Sequence, residues 1–196
     1  KKVLELKPNH ADAYYSLGRV YEKLGQFQLA ENYYQEAVKY NPIFAKAQAS
    51  LGDLYRNLNN YDKAIKEYKL ALGSNPKLVE VYINLGTIYE ITGMLNDAVG
   101  IYGAGIKHHP KSAELHYNLG IAYKKQGMLD KTIEQYKIAV KLKPNYSEAY
   151  GNLGVAYAKK GMITEAIEAI EKSIEIDPSN EVMKQNLIKL KLKQEN

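Results

Sequence analysis

The 196 residues are 45% hydrophobic and 25% charged, the range of ordinary folded proteins, and no apolar run approaches the roughly 20 residues a membrane helix needs. Cysteine is absent, which excludes disulfides, thiolate metal sites and a cysteine nucleophile. The net charge of +5 is mild and patchy: residues 45–78 and 113–146 are net positive and 147–180 net negative, which argues against a phosphate-tracking stripe and so against nucleic-acid binding.

The prolines mark the organisation. Pro8, Pro42, Pro76, Pro110, Pro144 and Pro178 fall at a constant step of 34 residues, the signature of one helical unit copied end to end. With proline as position 32, the full units are 11–44, 45–78, 79–112, 113–146 and 147–180. Position 7 is leucine and position 8 glycine throughout, from Leu17 and Gly18 to Leu153 and Gly154; position 11 is always tyrosine, from Tyr21 to Tyr157. Position 20 is Ala30, Ala64, Ala98, Thr132 and Ala166, and position 24 is Tyr34, Tyr68, Tyr102, Tyr136 and Ile170. Spacings of three and four place these residues on one helical face. Each unit therefore reads as two amphipathic helices, A at positions 1–14 and B at 18–31. Gly25, Asn59, Gly93, Gly127 and Gly161 at position 15 supply the left-handed residue that ends helix A, and the proline closes helix B. The small residues at positions 8 and 20 are expected to let the two backbones approach, with the tyrosines filling the wedge between units.

A mostly aromatic fourth position, a leucine–glycine pair, a tyrosine three residues on, an early alanine in helix B, an aromatic one turn later and a closing proline resemble the tetratricopeptide repeat family. Tyr14, Leu17, Gly18, Tyr21, Ala30, Tyr34 and Pro42 carry the pattern in the first unit, and it runs without a gap over residues 11–180. The resemblance implies an all-α fold, a right-handed superhelix whose A helices line a concave groove and whose B helices form the back. Residues 1–10 resemble the end of a further helix B, so another repeat is expected upstream; opening without an initiator methionine, the chain reads as part of something longer, and its compartment is not legible. After Pro178 the glycine and tyrosine positions become Ile188 and Lys191, so 181–195 reads as a capping helix with Met183, Leu187 and Leu190 inward, charges outward, and the KLKLK run a solvated face.

No catalytic constellation is evident. Gly100, Gly103 and Gly105 lie inside a helical pattern rather than between a strand and a helix, so they read as close packing or a soft spot, not a phosphate loop. His108 and His109 fall in a turn, and His116 holds the usually aromatic fourth position, a packing role rather than a metal ligand. No enzyme activity, metal or cofactor is expected.

Function then rests on what the resemblance implies for the A helices. Positions 2, 5, 6, 9, 12 and 13 face the groove, and Asn84, Asn118 and Asn152 at position 6 form a ladder of amides suited to gripping an extended backbone, although asparagine there is also common in the average repeat. The expected contacts are Tyr15, Arg19, Asn84, Thr87, Ile91, Tyr117, Asn118, Ile121, Lys125, Asn152, Val155 and Lys159. The chaperone-tail carboxylate clamp of the family does not fit: its two best alignments give Ala49, Asp53, Asn84, Glu114, Asn118 or Ile83, Thr87, Asn118, Glu148, Asn152, without the required cations. The leading expectation is a non-enzymatic scaffold holding a protein or peptide partner in the groove. The alternative is a substrate-recruiting arm of a larger enzyme, such as an intracellular O-glycosyltransferase. Self-association through array ends, with Val3, Leu4 and Leu6 at the N-terminal edge, is a further expectation.

Overall fold

Helices begin and end where backbone chemistry places them. The structure, a computed structural model, describes residues 10–195; the expected helix remnant at 1–10 and its apolar edge fall almost wholly outside the described residues. The described residues form only α-helices, joined by short turns: α1 Ala11–Lys23, α2 Phe27–Tyr40, α3 Ala45–Asn57, α4 Tyr61–Ser74, α5 Val79–Ile91, α6 Leu95–His108, α7 Ala113–Lys125, α8 Leu129–Leu142, α9 Ser147–Lys160, α10 Ile163–Ile176 and α11 Glu181–Glu195. The fold is an all-α helical solenoid.

Each A helix ends at a residue of positive φ, from Asn59 at 57° to Gly161 at 82°. In the first unit Gly25 N–H donates to the Glu22 carbonyl and Gln26 N–H to the Tyr21 carbonyl, both at 2.9 Å, and the same pair recurs at Asn59, Gly127 and Gly161. This pair of hydrogen bonds satisfies carbonyls that a helix end leaves open, and one of them always belongs to the position-11 tyrosine. Each B helix runs over positions 17–30, one residue earlier at both ends than expected from sequence. The reason lies in the residue before the proline. Asn41, Asn75, His109, Lys143 and Asp177 adopt φ between −127° and −149°, because the following ring excludes the helical conformation.

The glycine at position 8 has a different partner from the one expected. A Cβ on Gly18, Gly52 or Gly120 would lie 2.5–2.6 Å from the ring of Tyr34, Tyr68 or Tyr136, so the glycine admits the position-24 ring of its own hairpin rather than the position-20 alanine. Those tyrosines, which the sequence placed between units, fill the interior of a hairpin and are 0% exposed. In the last repeat the Cβ would meet Ile170 at 2.5 Å and the Ala166 carbonyl at 3.0 Å, so there the two backbones themselves crowd.

The helices cluster into two compact units, one up to Ile91 and one from Thr92, dividing the third repeat between its helices. In the first unit α1 pairs with α2 and α3 with α4, α2 packs on α3, and α5 closes the stack against α4 and α3. In the second, α6 packs on α7, the hairpins α7–α8 and α9–α10 follow, and α11 lies on α10. Position 4 stitches successive repeats: Gln48 Nε2 donates to the Pro42 carbonyl at 2.8 Å, Tyr82 Oη to the Pro76 carbonyl at 3.2 Å, and His116 Nε2 lies 3.4 Å from the Pro110 carbonyl. His116 is buried, with Nδ1 2.8 Å from Gln135 Oε1, the packing role expected of it.

Candidate protein-interaction face

The A helices of each unit present a face on which the sequence placed the contact residues. In the first unit much of that face is closed on itself. Asp53 is its hub: one carboxylate oxygen accepts from Tyr68 Oη at 2.7 Å and from Asn84 Nδ2 at 2.9 Å, with Arg56 Nη2 at 3.9 Å. Arg56 Nη1 in turn donates to Asn84 Oδ1 at 2.7 Å. Burial, then the Asp53 charge, pushes the Tyr68 hydroxyl well above its ordinary range. Tyr15 is half-buried against Phe44 and Tyr34, ring centroids 5.2 and 5.7 Å away, and the Arg19 guanidinium lies 6.0 Å from the Tyr15 ring. Thr87 Oγ1 is spent on the Ile83 carbonyl at 2.9 Å. Ile91, 58% exposed, is the apolar residue this face offers.

In the second unit the face is more apolar. Tyr117 is half-buried, 4.9 Å from the Tyr146 ring and 5.7 Å from Tyr136, and burial raises its hydroxyl pKa. Asn152 Nδ2 donates to Tyr117 Oη at 2.8 Å, and Asn152 Oδ1 accepts from Lys124 Nζ at 3.3 Å. Ile121 packs on the core formed by Ile133, Tyr136 and Leu153. Asn118 and Val155 are half-buried, while Lys125 and Lys159 are exposed.

Two of the position-6 asparagines, one in each unit, thus tie their A helix to the preceding A helix of the same unit. Asn84 bonds Asp53 and Arg56; Asn152 bonds Tyr117 and Lys124. An amide carries two N–H donors and two lone pairs, so Asn152 keeps one donor and one acceptor site for a ligand, whereas Asn84 also hydrogen-bonds the Tyr68 hydroxyl. This pairing was not legible in the sequence, because it links positions about 30 residues apart whose facing depends on helix stacking.

Sequence reasoning also missed how α11 is received. Position 5 is Tyr15, Ala49, Ile83 and Tyr117 in the earlier repeats but Gly151 in the last. A Cβ there would lie 3.0 Å from Met183 Sδ and 3.2 Å from Ser173 Oγ, so the glycine makes room for the terminal helix. The buried Ser147 and Ser173 exchange hydroxyl-to-carbonyl bonds of 3.0 and 2.9 Å, where the earlier repeats carry alanine, valine or glycine. Met183, Leu187 and Leu190 are half-buried as expected. The outward face is not purely charged, since Val182, Ile188 and Leu192 are 62%, 61% and 56% exposed.

Among the described residues no group of three His, Asp or Glu is arranged to hold a metal ion, and no helix is long and apolar enough to cross a membrane.

Tetratricopeptide repeat family models match residues 15–78, 113–146 and 147–180. Similar solved structures include YrrB, described as a TPR protein with an unusual peptide-binding site: TM-score 0.78, 22% identity, 94% of this chain and 95% of that one covered. A MamA structure has TM-score 0.76 and 27% identity, covering 82% of this chain and 94% of MamA. The thermophilic TPR protein TTC0263 of Thermus thermophilus has TM-score 0.62 and 22% identity, covering 93% of this chain and all of that one. No curated protein matches the chain.

Proposed function

Because the chain belongs to the tetratricopeptide repeat family, we propose that it is a non-enzymatic scaffold that holds an extended segment of a partner protein on the exposed face of its A helices. The family and its fold neighbours support an interaction scaffold. The observation that carries it is chemical. The second unit's face combines half-buried apolar side chains, Tyr117, Ile121 and Val155, with the Asn152 amide, whose remaining donor and acceptor match a peptide backbone. Asn118 stands one repeat earlier at the same register.

YrrB is reported with a peptide-binding site, and at 22% identity that likeness carries fold rather than contacts. The test is selection of displayed random dodecapeptides on the full chain. Selected peptides are expected to bind the double variant Asn118→Ala, Asn152→Ala at least about ten-fold more weakly, with helix content unchanged. Selected peptides whose affinity is indifferent to that variant, or no selected peptide at all, contradict the reading.

A further inference from the structure

The terminal helix does more than cover the last repeat. Asn186, Lys189, Leu190 and Lys193 follow the three- and four-residue spacing of one helical face. They face Val155, Ala158 and Lys159 of α9 across a cavity of about 300 Å3, with the fully buried Ile170 behind. Its floor is apolar, and its rim carries three lysines.

The rim holds no acid. Among the described residues Lys159, Lys189 and Lys193 form no ion pair, although residues 147–180 are net negative. Two carboxylates of this hairpin are engaged elsewhere: Glu171 with Lys191 at 2.7 Å and Glu175 with Lys172 at 2.8 Å. A second cavity, of about 480 Å3 on α8, makes the contrast. There Asp130 and Glu134 accompany Lys137, Lys141 and Lys160, and Lys160 Nζ sits 2.5 Å from Asp130 Oδ1. One cavity supplies its own counter-charges and the other lacks them.

We propose that the α9–α11 cavity takes an acidic segment of a partner protein, seating one apolar side chain on the floor while flanking carboxylates meet Lys159, Lys189 and Lys193. Three like charges around one small cavity repel one another, and an anionic ligand relieves that repulsion. The volume is at the low end of ligand cavities and suits one side chain. No aromatic residue lines it, so it offers no stacking platform for nucleic-acid bases. The site is also distinct from the carboxylate clamp, because in repeat numbering its lysines stand at positions 13, 9 and 13, whereas the clamp's cations stand at positions 5, 2 and 6, where Ala49, Glu114 and Asn118 lie here. The inference rests on the scaffold reading and specifies the partner's chemistry.

The peptides selected above are measured by fluorescence anisotropy on three full-length proteins: the parent, the pocket variant Lys159→Gln, Lys189→Gln, Lys193→Gln, and the control Lys131→Gln, Lys137→Gln, Lys141→Gln, which removes the same charge from α8. The six lysines are exposed, so helix content by circular dichroism is expected to be equal in all three. The proposal expects selected peptides rich in acidic residues around an apolar one. It expects at least about ten-fold weaker binding to the pocket variant, a change under about two-fold in the control, and a difference that shrinks as salt rises. Peptides without acidic bias, or equal losses in both variants, overturn it. So does a labelled single-stranded oligonucleotide that binds the parent more tightly than the peptides do. If peptides ignore the pocket variant but respond to Asn118→Ala, Asn152→Ala, the acidic pocket falls and the scaffold reading stands. If they ignore both sets, or none is selected, both fall.

Discussion

The two units use the same register for different ends. On α3 and α5 of the first unit, positions 6, 9 and 12 hold Asn84, Asp53 and Arg56, which satisfy one another and the buried Tyr68. On α9 and α11 of the second unit, comparable surface carries Val155, Lys159, Lys189 and Lys193 around a cavity without a counter-charge. One face has spent its polar capacity on holding helices together; the other has capacity left. A shared repeat fixes where side chains point and leaves open whether they bond inward or to a partner.

The largest effect that probes the contrast is alkaline unfolding. Burial, then Glu31, pushes the Tyr55 hydroxyl from 10.0 up to about 12, and burial drives Tyr34, Tyr68 and Tyr146 higher still. With folded-state values raised, the native chain holds protons that the unfolded chain releases, so stability is complete below about pH 10 and falls as pH rises beyond it. Absorbance of tyrosinate followed with far-ultraviolet dichroism should show this set ionising together with helix loss. Ionisation with helices intact would mean that the rings are not sealed.

Next in size are the close-approach glycines. Gly154→Ala presses a methyl on Ile170 and the Ala166 carbonyl, while Gly52→Ala presses only on the Tyr68 ring, which can shift. Both should lower urea stability by about 1–3 kcal/mol, with Gly154→Ala the costlier. Equal stability of Gly154→Ala and the parent would refute the packing described for the last hairpin.

The asparagines sharpen the comparison directly. In the absence of ligand Asn84→Ala should cost about 2 kcal/mol and Asn152→Ala about 1 kcal/mol, since bonds to the charged Asp53 and Arg56 are worth more than a pair shared between Tyr117 and the exposed Lys124. Urea titration of both variants reads the difference, and the reverse order would break the view that the first unit's network is the structural one.

The smallest effect concerns α6. A Cβ on Gly100 or Gly103 would meet nothing within 4 Å, so neither glycine serves close packing there. Each change to alanine should stabilise by about 0.5–1 kcal/mol and raise amide protection along α6. Unchanged hydrogen exchange in α6 would oppose this.

What could be read from the sequence was what the backbone dictates locally. Proline at position 32 and a left-handed residue at position 15 act through their own φ and their immediate neighbours, so helix ends came out within one residue. Partners across helices were harder. Gly18 reads as a small residue next to an alanine, and only the packed hairpin shows the Tyr34 ring lying on it. Asn84 reads as a free amide until α3 brings Asp53 and Arg56 beside it. Lys189 and Lys193 read as solvated because the KLKLK run does not reveal what α11 lies against. The signal that does exist is the spacing of Asn186, Lys189, Leu190 and Lys193, together with glycine at position 5 of the last repeat alone.

The central claim is that partner segments are held on the A-helix face of the second unit beside α11. Its most direct test is an amide chemical-shift titration of the full-length chain with a selected peptide. The account predicts the largest shifts at Asn152, Val155, Lys159 and Lys189. Largest shifts at Lys137 and Lys141 of α8, with α9 and α11 undisturbed, would contradict it.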